Sequence, residues 1–254
     1  MKIDYEAIQR SIYIYKIIEN YKRFMKISYF PEFNLKLIDD NNLIREGYGV
    51  AAEHFYNINS NKHTLNIWKD IYKFPSDYYI FHELTHIYDT TLHSAGNKFL
   101  YAANRGYLEY HAAQVDLLKL VNATTIDSTV TFSLKQVIDT MFGKRTVLQY
   151  INDPHIAVLK IIKKSSYPNS HEEVGNSLGM IFNYLGRISI CKMFATDYLD
   201  YEQALTDMMI EKTVLGDTFS KIFNRLNGFL GENEIRIVGD YYLKLIVELC
   251  DKFI

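Results

Sequence analysis

His82-Glu83-Leu84-Thr85-His86 decides how this chain is read. Residues four apart on an α-helix lie one above the other on the same face. On a helix His82 and His86 can therefore both aim an imidazole nitrogen at one zinc ion. Glu83, about 100° round the helix from His82, cannot join that pair, but it can hold a metal-activated water as general base. Zinc lowers the pKa of such a water from about 15.7 to about 7, within reach of a carboxylate at neutral pH.

The flanks make the stretch helical. Pro75-Ser76-Asp77 is a helix start, because Ser76 or Asp77 can cap free N–H groups and an acid suits the positive helix end. The spacing predicts a helix from Tyr78 to about Thr91, with Tyr79, Ile80, Leu84 and Ile87 around the motif, broken by Ser94-Ala95-Gly96-Asn97. A catalytic zinc needs three protein ligands and an open position. One large group of zinc peptidases continues the motif with Gly and then His, but Asp89 and Leu92 stand at those positions and His93 is one residue late. The other source is the next predicted helix, from about Asn104 to Val121, where Glu109 follows His86 by 23 residues. That distance lets one helix end, a loop turn, and an antiparallel partner bring Glu109 back, with Ala112 and Ala113 allowing close approach. His111, Asp116 and His93 compete with Glu109 for this role.

Upstream, Ile8, Ile12, Tyr15, Ile18 and Tyr21 fall at helical spacing within a predicted N-terminal helix, Tyr5 to Lys26. Asn34 to Ile38 alternates as a strand, and Asp39-Asp40-Asn41-Asn42 reads as a turn. Tyr48 to Ile58 is a second strand, Asn59-Ser60-Asn61-Lys62 a second turn, and His63 to Trp68 a short third strand with the character of an edge. Beyond Asn122 the strand signal disappears. Phe132 to Phe142, Thr146 to Lys164, Glu172 to Phe194, Tyr201 to Met209, Phe219 to Leu230 and Ile235 to Phe253 all read as helices. Ser170-His171-Glu172-Glu173 fits a capping box in which Glu173 reaches back to the Ser170 amide. The expectation is an α+β chain: residues 1–122 a mixed metal-binding catalytic domain, residues 123–254 an all-helical domain.

With these residues in place the chain resembles the gluzincins, the thermolysin-like zinc peptidases that pair a His-Glu-x-x-His helix with a downstream glutamate helix. The resemblance covers roughly Asn34 to Leu120 and extends more loosely to small cytosolic gluzincins of the phage-repressor-cleaving (ImmA/IrrE-like) type. It implies a zincin-like first half: helix, small sheet, active-site helix and glutamate helix. It further implies His82, His86 and Glu109 as ligands of one Zn2+, Glu83 as catalytic base, and an extended peptide or protein substrate bound along a strand before the motif helix. The family places an aspartate four residues after the glutamate ligand, to orient the first histidine. Here that position is Ala113, leaving Asp116 or Asp89 to substitute.

The remaining features narrow the function class. A formal net charge of -2 indicates no general attraction to nucleic acid or anionic membrane. No run approaches the ~18 apolar residues that span a bilayer, and Met1 to Glu6 lead into a charged amphipathic segment rather than a signal peptide. The expected location is cytoplasmic. Cys191 and Cys250 lie in apolar helical patterns and read as buried free thiols. A zinc peptidase needs a donor to the developing oxyanion. Tyr107, Tyr110, His155, His171 and Tyr184 are available, with His171 and Tyr184 favoured because they fall in the helical half. Gly175 and Gly179 read as helix-packing positions, Lys160, Lys163 and Lys164 as a solvated face, and His54 and His63 as structural. The sequence thus supports a zinc-dependent peptidase that hydrolyses peptide bonds. The alternative is a metal-stabilised regulatory or protein-binding module with little turnover, whose helical half recognises a partner.

Overall fold

In the computed structural model, which describes residues 5–38, 51–94, 96–207 and 211–252, three short strands carry the metal-motif helix. Strands β1 (Phe33–Ile38), β2 (Ala52–Asn57) and β3 (Lys62–Trp68) form a sheet of order β1-β3-β2. β1 runs parallel and β2 antiparallel to β3. The expected edge strand, His63 to Trp68, is therefore the central one, and a substrate cannot add to it. Its Leu65 and Ile67 are each 1% exposed, the burial that a middle strand needs on its inner face. The expected turn at Asp39 to Asn42 and the residues 48–50 of the expected second strand lie outside the described residues.

The chain divides into two units. The first comprises Met1–Gly96, Val115–Val130 and Ile138–Lys144; the second comprises Asn97–Gln114, Thr131–Val137 and Arg145–Ile254. Helix α3 (Lys98–Leu120) is continuous and contributes to both. In the first unit, helices α1 (Tyr5–Met25) and α2 (Asp77–Ser94) pack through aromatic rings: Tyr21 and Phe24 lie 5.3 and 5.4 Å from Phe81, centroid to centroid. The buried Tyr21 hydroxyl donates to Thr85 Oγ1 at 3.2 Å, so the polar tip on α1 is satisfied within the motif itself.

In the second unit the helices are α4 (Val147–Ile162), α5 (His171–Phe194), α6 (Tyr198–Asp207), α7 (Glu211–Phe223) and α8 (Glu232–Cys250). Glycines set the closest approaches. A Cβ added at Gly186 would lie 2.1 Å from the Tyr110 carbonyl oxygen and 3.0 Å from Ala113 Cβ, so α5 runs directly against the backbone of α3. Ala113 thus serves the contact with α5. Both Ala112 and Ala113 are fully buried.

The mixed α+β class holds, but the C-terminal half is not all-helical. Phe132 to Phe142, expected as a helix, instead contains a turn and strand β4 (Val137–Thr140), which pairs with β5 (Gly143–Thr146). Its β-branched Val137, Ile138 and Thr140 flank a tight turn ending at Gly143, whose φ of 98° a side chain would strain. Helix α7 starts earlier than expected and ends at Phe223, short of Leu230. At α5 the Ser170 hydroxyl accepts from the Glu173 amide as expected, whereas the Glu173 carboxylate reaches one residue further back, to the Asn169 amide.

Candidate metal centre

Helix α2 places the two motif histidines one turn apart, and their side chains converge. His82 Nε2 and His86 Nε2 face one another at 3.1 Å. Two nitrogens held by a tetrahedral zinc with bonds of about 2.0–2.1 Å would be separated by about 3.3 Å, so the pair is spaced for a shared cation. The other nitrogen of the first ring decides its tautomer. Asp116, 2% exposed, takes His82 Nδ1 at 3.1 Å. The proton therefore sits on Nδ1, and Nε2 presents a lone pair towards His86. Asp116 is thus engaged with the ring of His82, three residues beyond Ala113 on α3.

Glu109 and Asp116 are seven residues apart on α3, about 700° of helix rotation and hence on nearly the same face. Among the described residues, one group of metal-ligating side chains forms: His82, His86 and Glu109, with one ligand atom of each within 4.8 Å of the others. The donor set, two imidazoles and a carboxylate, could hold a divalent cation. Glu109 Oε2 accepts from Asn183 Nδ2 at 3.0 Å, and a Cβ added at Gly179 would meet the Glu109 carboxyl group at 3.7 Å. Gly179 is thus a contact of Glu109, while Gly175 has nothing within 4 Å of an added Cβ.

Glu83 points differently from its neighbours. It is 9% exposed, and its Oε2 accepts the His54 amide at 2.9 Å. His54 pairs with Leu65 across β2 and β3, and this amide is directed off the sheet towards α2. The His54 ring lies nearly parallel to that of His86, with centroids 6.1 Å apart and an interplanar angle of 14°. Its Nε2 meets His63 Nδ1 at 2.9 Å, and His63 Nε2 meets Thr91 Oγ1 on α2 at 3.0 Å. Sequence reasoning set both histidines aside. The signal that links them is cross-strand register, since His54 and Tyr56 share a face with His63 and Leu65.

The favoured oxyanion donors have other occupations. Tyr184 is buried, stacks on His155 at 3.5 Å and donates its hydroxyl to the Leu205 carbonyl. His171 Nδ1 contacts Cys250 Sγ at 3.1 Å. Tyr110 donates to the Gly228 carbonyl, and burial pushes its phenol up. Tyr107 stacks on His111. Cys191 and Cys250 are buried free thiols, and burial raises both above the usual thiol range. Asp89 is buried on α2 at 1% exposure, and His93 lies in the last turn of that helix. No described helix is long and apolar enough to cross a membrane.

The chain matches no family model, no curated protein and no solved structure.

Proposed function

We propose that this protein is a zinc-dependent peptidase with a gluzincin-type site. His82, His86 and Glu109 hold one Zn2+, and Glu83 is the general base. The observation that carries the reading is the convergence of the two imidazoles and the Glu109 carboxylate within 4.8 Å, with Asp116 fixing the tautomer of His82. A zinc ion bound there would supply Lewis acidity, polarising the scissile carbonyl and lowering the pKa of the attacking water. Glu83 takes the proton from that water and passes it to the leaving amine, a role worth about 10²–10⁴ in rate. Asp116 orients His82 through its Nδ1, and Asn183 orients the Glu109 carboxylate by donating to Oε2.

On this reading the substrate backbone lies along the outer edge of β2, at positions other than the His54 amide that Glu83 takes, since among the described residues β3 is paired on both sides and β2 on one. Extended peptide is the substrate form that such an edge accepts. The alternative, a structural or regulatory metal module, draws on Ala113 and on the large helical addition. The Asp116 bond to His82 supports an orienting role for Asp116 in place of the first ground, while the helical addition remains its support.

The test is Glu83→Gln in the full chain, assayed on a peptide library with metal analysis alongside. Cleavage should fall by at least about 100-fold while zinc stays stoichiometric. Unchanged proteolysis would remove Glu83 from its role, and a wild type that binds zinc but cleaves nothing would favour the regulatory module.

A further inference from the structure

Three side chains beside the proposed base form one chain of hydrogen bonds, and its direction follows from the chemistry of its members. Thr91 Oγ1 contacts the Ile87 carbonyl at 2.9 Å as well as His63 Nε2 at 3.0 Å. A carbonyl can only accept, so the single hydroxyl proton goes to Ile87, and Thr91 accepts from His63 Nε2–H. His63 is 4% exposed and capped by the Tyr56 ring, 4.7 Å between centroids. Burial pushes its pKa down to about 4, so the ring is neutral and its Nδ1 is an acceptor. His54 Nε2–H then donates to that nitrogen at 2.9 Å. Every link is satisfied in this one arrangement, and together the links tie β2 to α2 across the inner face of the sheet.

The strand so held is the one whose His54 amide donates to Glu83 Oε2. We propose that His63 is a positioning residue for Glu83: by bridging Thr91 of α2 and His54 of β2, it keeps the His54 amide on the Glu83 carboxylate. The bond fixes one carboxylate oxygen, Oε2, and so constrains the orientation of the carboxylate. The proposal rests on the reading of Glu83 as the base. Removing the bridge takes away the side-chain hydrogen bonds that join His54 of β2 to Thr91 of α2, and hydrogen bonds constrain the angle of a group as well as its distance.

The test is Thr91→Val, nearly isosteric and lacking the hydroxyl, with Thr91→Ser as the conservative rescue. Hydrogen exchange of the His54 amide is read beside zinc content and peptide cleavage. In Thr91→Val the His54 amide should exchange about tenfold faster or more, with the Leu65 and Ile67 amides unchanged. Zinc content and KM should hold, while kcat falls about tenfold to a hundredfold. Thr91→Ser should restore both exchange and kcat. His54→Phe, which keeps the ring against His86 but removes the Nε2–H donor, should reproduce the fast exchange at residue 54. Unchanged exchange of that amide in Thr91→Val and His54→Phe would overturn the positioning role. A zinc-loaded wild type that cleaves no peptide would instead overturn the peptidase reading, and the exchange data would still decide the role of His63.

Discussion

His82 and Glu109 are ligands of one proposed ion, yet they are supported in opposite ways. His82 is backed by a carboxylate, Asp116, on the helix next in sequence to its own. Glu109 is backed by a neutral carboxamide, Asn183, on a helix more than seventy residues away. The Asp116 bond is charge-assisted once the histidine gains positive character on binding a cation, and such bonds are about twice as strong as neutral ones. The Asn183 bond is charge-assisted on its acceptor side alone, because a neutral amide donates to the carboxylate, so it is the weaker of the two supports. The first support travels with the motif, and the second depends on how α5 packs against α3.

The sharpest way to break this comparison is to disturb that packing. Gly186→Ala would put a methyl group 2.1 Å from the Tyr110 carbonyl oxygen. The expected cost is about 3 kcal/mol or more of stability, read as a drop in Tm, with loss of zinc affinity because α5 carries Asn183. An unchanged Tm would mean that α5 does not approach α3 so closely. Next in size, Asp116→Ala should weaken zinc binding by about 100-fold, measured by competition with a chelating dye. Asn183→Ala should weaken it by about tenfold. A larger loss in Asn183→Ala than in Asp116→Ala would reverse the comparison. The smallest expected effect lies far along the chain from both supports. The Thr146 side chain accepts from the Gln149 amide, and the Gln149 side chain accepts from the Thr146 amide. Thr146→Ala should therefore cost about 1 kcal/mol of stability by denaturant unfolding, with zinc affinity unchanged.

The same contrast separates what was legible in the sequence from what was not. The motif helix and a following helix that carries Glu109 follow from spacing, which acts within a few residues. That second helix nevertheless begins at Lys98, ahead of the expected Asn104, and the Ser76 hydroxyl bonds the Ile71 and Phe74 carbonyls. Cross-chain facts did not follow. Sequence alternation marked Leu65 and Ile67 as one face of a strand but could not say that β1 and β2 would flank β3 on both sides. The pairing of His54 with His63 needs a strand register that neither strand contains by itself. Phe132 to Phe142 shows a local signal outweighed: its apolar spacing fits a helix, but the tight turn into Gly143 turns the chain into β5. Glu109 was chosen by its distance from His86, while its support by Asn183 is purely tertiary.

The account stands or falls on Glu109 as the third ligand, and zinc affinity of the wild type beside Glu109→Ala tests it most directly. The wild type should bind one zinc per chain. Glu109→Ala should lose more affinity than the about 100-fold that bounds a supporting residue, with its fold intact by circular dichroism. Undiminished zinc binding in Glu109→Ala would contradict the account and hand the third position to another side chain.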